Sequence, residues 1–228
     1  MSKSAVSKSS TRSVGPHFIT FEGGEGSGKS TQARLLAERL KHAGVDVLLT
    51  REPGGSPFAE QVREFILGGR ALPHPPLAEA LLFYAARADH LATVIAPALA
   101  AGKWVISDRF SDSTRVYQGV AGGVPAATIE GLDKLVVGPH TPALTIIMDI
   151  SPDDGLRRAA ARRPEGAATD PFEARTLAFH GQLRDGFRAL AAKEAQRCVL
   201  VDGAGPAAPI AAQVWKHVEA RLLKRTGS

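Results

Sequence analysis

Phe18-Ile19-Thr20-Phe21-Glu22-Gly23-Gly24-Glu25-Gly26-Ser27-Gly28-Lys29-Ser30-Thr31 is the stretch that decides the fold. Its first four residues read as a short strand ending at Glu22, and Gly23 to Ser30 fits the pattern G-x-x-x-x-G-K-S/T. From Lys29 to Ala43 the spacing predicts a helix, with Leu36 and Leu40 one turn apart and Gly44 as its stop. A strand, a glycine-rich loop and a helix in that order give the pattern its meaning. Backbone N–H groups can turn inward around phosphate oxygens, and the helix offers its N-terminus to the anion. Gly23, Gly24, Glu25, Gly26, Ser27, Gly28, Lys29, Ser30 and Thr31 are therefore expected to hold the phosphates of ATP. In that role Lys29 reaches the β- and γ-phosphates, and the Ser30 hydroxyl ligates Mg²⁺.

Strands and helices alternate through the rest of the chain. Val45–Thr50, Lys103–Ser107, Ala143–Ile150 and Cys198–Val201 read as further apolar strands. Ser56-Pro57 opens a helix that Gly68-Gly69 ends, and Pro75-Pro76 opens a long helical stretch through Ala100, bent or broken near Pro97. Ile129, Leu132 and Val136 mark another helix, Ser151-Pro152 starts an Arg-rich one, and residues Pro164 to Thr169 read as loop. Asp170-Pro171 is expected to begin a helix carrying Phe179, Leu183, Phe187 and Leu190, and Ile210 to Leu222 stripe a last one. Five apolar strands separated by helices predict an α/β fold, a five-stranded parallel sheet with helices on both faces. Such sheets bind ligands beyond the carboxyl ends of their strands, where residues 22–30, 51–56, 108–118 and the Arg157–Arg163 cluster would converge.

Composition narrows the class. The 228 residues are 44% hydrophobic and 22% charged, which suits a globular chain and excludes a disordered one. The formal charge of +5 owes three units to Lys3, Lys8 and Arg12, which precede the first acid, Glu22. The mildly basic remainder fits phosphorylated small molecules better than nucleic acid. Residues 1–14 read as a disordered tail and 15–228 as one domain. A single cysteine, Cys198, gives neither a disulfide nor zinc spacing and fits a reducing compartment, with the cytoplasm the expected location. The longest apolar run, Leu91 to Ala101, is too short for a membrane span and contains Pro97.

The phosphate loop alone does not choose a reaction. There is no N-K-x-D segment of the kind a GTPase uses, and the third strand ends Ser107-Asp108-Arg109 rather than in the paired carboxylates of a motor ATPase. Asp108 can hold Mg²⁺ through water or orient the acceptor, and Arg109 can neutralise a second phosphate. Read without further context, Phe83 is a core residue and Arg87, four positions on, a solvated partner.

The chain resembles the thymidylate kinase family. The resemblance runs in order from about Phe18 to Val201: Phe21-Glu22-Gly23 through Gln32, Arg51-Glu52-Pro53-Gly54-Gly55, Phe83-Tyr84-Ala85-Ala86-Arg87, and Asp108-Arg109-Phe110 with Ser113-Thr114 and Tyr117-Gln118-Gly119. It implies a P-loop kinase that moves the γ-phosphoryl group of ATP to dTMP, giving dTDP and ADP for dTTP synthesis. It also implies a homodimer. The resemblance places Phe83 on the thymine face and Arg87 at its O4 edge. Arg51 and Arg109 fall on the acceptor phosphate, Glu25 on the sugar hydroxyl and Tyr117 beside the 2′ position, with Ser113 and Gln118 as pocket polars. Some relatives carry a transition-state arginine in the loop, where this chain has Gly26. The resemblance therefore moves that role to a short mobile lid, about residues 156–172, and to Arg162 with Arg158. Two other readings stay open: a P-loop kinase of another nucleoside monophosphate, and a nucleotide-dependent binding switch.

Overall fold

Phe18–Glu22 (β1) is buried along its whole length and forms the middle of the sheet. A computed structural model describes residues 17–68, 74–163 and 170–223. The expected tail, the loop 164–169 and the second glycine of Gly68-Gly69 lie outside the described residues. The other strands are Val47–Arg51 (β2), Trp104–Asp108 (β3), Leu144–Asp149 (β4) and Cys198–Asp202 (β5). All pair in parallel, in the order β2-β3-β1-β4-β5. The order reverses about β1: the chain builds β2 and β3 on one side, then crosses to β4 and β5. That switch point opens a crevice at the carboxyl end of β1, where the phosphate loop begins.

Alternation along the strands sends side chains into two different layers. Ile19 and Phe21 join Ile106, Ile146 and Val201 beneath Lys29–His42 (α1) and Ala207–Val218 (α9) in an apolar cluster. The opposite face packs against Pro57–Leu67 (α2), Pro76–His90 (α3) and Leu177–Lys193 (α8). That face also carries buried polar groups. Thr20 and Thr145 share a hydrogen bond of 2.9 Å, Arg197 grips Asp112 at 2.7 and 2.8 Å, and Glu22 accepts from Ser113 Oγ at 2.6 Å.

Several boundaries differ from the sequence reading, each for a local reason. Strand β2 starts at Val47, not Val45, because Val45 N–H bonds Leu40 O and closes the end of α1 around Gly44. The long stretch to Ala100 is a helix to His90, a π-helical turn over Leu91–Ile95 and a short helix Ala96–Ala100 (α4). The break thus precedes Pro97, whose ring cannot sit over the carbonyl four residues back in a regular helix. Helix α8 begins at Leu177, capped by Thr176 Oγ1, whereas Asp170 ends in a turn in which its carboxylate accepts from Phe172 N–H at 2.8 Å. Two elements were not anticipated between β3 and Ala126–Val136 (α6): Ser111–Thr114 (α5) and a π-helical turn over Arg115–Val120. Pro152–Arg162 (α7) carries the arginine cluster, its N-cap Ser151 accepting from Asp154 N–H.

Candidate active site

The phosphate loop ends at Gly28, a left-handed N-cap that offers no side chain to α1, whose first turn holds no acid. The first N–H groups of α1 are therefore free to meet an anion. Lys29 Nζ points back into the loop, donating to Gly24 O at 2.7 Å and Ser27 Oγ at 3.3 Å. Burial, with Arg109 adding to it, lowers the ammonium to about 8 despite the nearby carboxylates of Glu25, Asp108 and Glu22. Gly26 lies so close to α7 that a Cβ there would meet Gly155 O at 1.9 Å. The loop therefore has no space for an arginine at this position.

Strand β3 delivers Asp108 and Arg109. Asp108 accepts a hydrogen bond from Ser30 Oγ, so the two residues expected at a metal stand together. Arg109 sits at φ 69°, and its guanidinium reaches Gly23 O at 3.0 Å, Ser113 Oγ at 3.1 Å and Glu25 Oε1 at 2.7 Å. Burial raises the Glu25 carboxyl, but Arg109, Lys29 and the Tyr117 hydroxyl, 2.6 Å away, overcome it and hold the group at about 2. Glu25 is thus an anion that orients Arg109 and Tyr117. Glu22 behaves in the opposite way. Burial and the nearby Asp112 raise it to about 8, although it accepts from Phe110 N–H at 2.8 Å and from Ser113.

Helices α2 and α3 close the far wall. Arg87 is 2% exposed, so the solvated placement read from sequence is wrong; the residue is buried because Glu52 enters from the β2 loop to meet its Nε at 2.8 Å. Phe83 is half-buried, its ring 6.1 Å from that of Phe172. Arg51, more exposed, is paired with both oxygens of Glu60 at 2.9 and 3.0 Å.

These groups line one cavity of about 260 Å³. It contains Glu25 to Ser30, Arg51, Phe83, Arg87, Asp108, Arg109, Ser113, Tyr117, Gln118 and Arg162. A second cavity, of about 330 Å³, lies across the loop and is lined by Gly26, Ser27, Gly28, Thr31, Arg158, Arg162 and the segment Gly203 to Ala207. Gly26, Ser27, Gly28 and Arg162 line both. The structure therefore separates the two arginines of α7. Arg162 stands where the cavities meet, whereas Arg158 is absent from the first and donates to Gly203 O at 2.7 Å and Ala204 O at 2.5 Å. Gly23 and Gly24 lie behind the loop, beside Met148 and His180.

Sequence reasoning overlooked several lining residues, Glu52 and Leu67 among them. Arg63 reaches into the first cavity from α2 while donating to Pro53 O at 2.9 Å, and Asp170 and Phe172 enter from the turn before α8. Burial, with Arg51 close by, lowers the Arg63 guanidinium. Lys29, Arg51, Arg63, Arg87, Arg109 and Arg162 outnumber Glu25, Glu52, Asp108 and Asp170 around this cavity, which suits a polyanionic ligand.

The sequence pattern of a family described as thymidylate kinase matches residues 21–214. The chain is 52% identical to a thymidylate kinase from Nitrobacter winogradskyi over 90% of its own length and 89% of the relative's. It is 50% identical to one from Bradyrhizobium diazoefficiens over 100% of this chain and 98% of that one. Among solved structures it is similar to a crystal structure of thymidylate kinase from Ehrlichia chaffeensis, with a TM-score of 0.72 and 36% identity. That likeness covers 90% of this chain and 99% of the other.

Proposed function

Because the chain belongs to the thymidylate kinase family, we propose that its two cavities are the dTMP and ATP sites of one phosphoryl transfer. The observation that carries the assignment is their junction: the loop residues Gly26 to Gly28 and Arg162 line both. Two nucleotides laid end to end across that junction would bring the acceptor phosphate of one against the γ-phosphate of the other.

Each group then has a task that its surroundings suit. Phe83 offers an apolar face to the base, and the Nη1 of Arg87, which has no partner in the protein, offers a donor to a base carbonyl. Arg51, Arg63 and Arg109 confront the acceptor phosphate, where forked guanidinium groups match its oxygens. Glu25 receives the sugar hydroxyl and holds Arg109 in place, while Tyr117 fills the space beside the 2′ position and Ser113 and Gln118 complete the wall. Lys29 and the uncapped start of α1 hold the donor phosphates, joined by Gly23 to Thr31. Arg162 meets the charge that spreads over the moving group, and Arg158 fixes the loop that closes the donor cavity. The acceptor oxygen is already anionic near neutral pH, so no base is required.

Among the described residues no cluster of three or more His, Cys, Asp or Glu could enclose a metal ion. Ser30 and Asp108, two adjacent oxygen donors beside the phosphate loop, fit Mg²⁺, which keeps water and substrate phosphates in most of its shell. When bound, the ion neutralises charge on the β- and γ-phosphates. No helix among the described residues is long and apolar enough to cross a membrane. A cytoplasmic location is part of the same proposal, supported by the free, buried Cys198. A homodimer is supported by the exposed apolar side chains Phe58 and Phe65 on α2 and Leu77 and Leu81 on α3.

A coupled assay of ADP release with dTMP, dUMP, UMP and dCMP tests the proposal. Release that depends on the acceptor and is fastest with dTMP is expected. Release indifferent to any acceptor supports a binding switch, and a different best acceptor reassigns the substrate.

A further inference from the structure

Behind Arg87 lies a chain of buried polar side chains that the phosphoryl transfer itself does not use. Thr50, at the end of β2, and His90, at the end of α3, are joined at 2.8 Å through Nε2. The Nδ1 of the same ring faces Glu52 Oε1 at 3.1 Å, and the other oxygen of Glu52 takes Arg87 Nε at 2.8 Å. Arg87 Nη2 donates to Thr114 Oγ1 at 3.2 Å. His90 and Arg87 are 0% and 2% exposed and Glu52 6%, so the middle of this line is shut off from bulk solvent.

The order of donors is fixed by chemistry. A carboxylate only accepts, so His90 Nδ1 must carry hydrogen; Nε2 is then left to accept from the Thr50 hydroxyl. Every polar atom along this line is satisfied except Arg87 Nη1, the buried guanidinium nitrogen without a protein partner. The backbone protects the arrangement. Gly55 lies over the Thr50–His90 bond, where a Cβ would come within 2.3 Å of Nε2 and 2.6 Å of Thr50 Oγ1, at a φ of +87°.

We propose that Thr50, His90 and Glu52 are positioning residues that hold the Arg87 guanidinium so that its unpartnered Nη1 selects a carbonyl, and rejects an amino group, at position 4 of the acceptor's pyrimidine. The inference rests on the dTMP-kinase reading above and adds to it the residues that hold Arg87 in place behind the pocket. A carbonyl gives Nη1 an acceptor. An amino group sets donor against donor and leaves Nη1 buried and unmet. With His90 removed, Glu52 loses the bond that fixes its plane, and the guanidinium can turn to receive either base.

The test compares kcat/KM for dTMP and dCMP in the full-length enzyme and in His90→Leu, His90→Asn and Thr50→Val, with thermal unfolding and the KM for ATP measured alongside. His90→Leu removes both ring contacts and should narrow the dTMP:dCMP ratio by about tenfold or more, mostly by loss on dTMP. The ATP KM should stay within about twofold. His90→Asn places an amide N–H near the former Nδ1, and should recover the ratio to within about threefold of wild type. A folded His90→Leu enzyme with the wild-type ratio overturns the proposal, as does equal narrowing in His90→Asn and His90→Leu. If His90→Leu does not fold, Thr50→Val carries the test: narrowing of about threefold is expected, and an unchanged ratio refutes it. A wild-type protein that phosphorylates no nucleoside monophosphate would instead overturn the functional reading and this inference with it.

Discussion

Raising the pH past neutrality should weaken the capture of ATP before it slows the chemical step. Lys29 ordinarily titrates at 10.5 but is held at about 8, chiefly by burial and further by Arg109. That gap is worth roughly 3 kcal/mol against the ammonium in the unliganded site. Between those two values the folded chain binds fewer protons at Lys29 than the unfolded chain. The group therefore adds stability as pH rises through that window and subtracts it below. A bound triphosphate reverses the preference, because its oxygens replace the solvation that burial removed. From pH 7.5 to 9 the protonated fraction of a group at about 8 falls roughly eightfold. The kcat/KM for ATP, which reports the free enzyme, should fall by about as much while kcat stays nearly level. Initial rates at saturating acceptor, taken above pH 7.5 where the nucleotide phosphates are fully ionised, measure this. Glu22, raised to about 8, titrates in the same window. Lys29→Arg separates the two: a bend that survives in that variant belongs to Glu22. A level kcat/KM through pH 9 in the wild-type enzyme would falsify the argument.

Two further outcomes follow from α7. Arg162→Ala should lower kcat by about a hundredfold or more with little change in the KM for dTMP, whereas Arg158→Ala should mainly raise the KM for ATP. Equal losses of kcat in both variants would show that the cavities do not divide the arginines as their contacts suggest. Gly155→Ala would ordinarily strengthen a helix by up to about 1 kcal/mol. Here the new Cβ would lie 2.4 Å from Glu25 O, and overpacking of this kind costs about 1–3 kcal/mol. Differential scanning calorimetry should show a Tm lower by about 2–6 °C, with a higher KM for ATP; a raised Tm with normal ATP kinetics would show that the contact yields.

Much of this architecture is legible in the chain because its signals are local. The five strands are short apolar runs, and the glycine pattern at Gly23–Ser30 sits between the first strand and the first helix, so topology alone brings the loaded segments to one edge. What sequence left out depends on distant partners. Arg63, Glu52 and His90 look like ordinary polar positions on amphipathic segments; only the folded chain shows that Glu52 bridges an arginine and a histidine 35 and 38 residues away. Ser111–Thr114 and the turn after it were missed because polar, short elements carry no apolar period; tertiary bonds such as Arg197–Asp112 stabilise them. The division between Arg158 and Arg162 was equally hidden, since residues four apart share a helix face yet meet different loops.

The two sides of the sheet age differently. Under α1 and α9 the strands rest on hydrocarbon alone below the phosphate loop, a contact indifferent to acidity and salt. The other side relies on buried polar pairs, Glu22 with Ser113 and Asp112 with Arg197, each stranded if its neighbour changes. Genetic drift should therefore pass easily through the first layer, one aliphatic residue for another. In the second it must proceed by compensated pairs, and a change at Arg197 leaves Asp112 without its partner, one residue from the Ser113 that donates to Glu22.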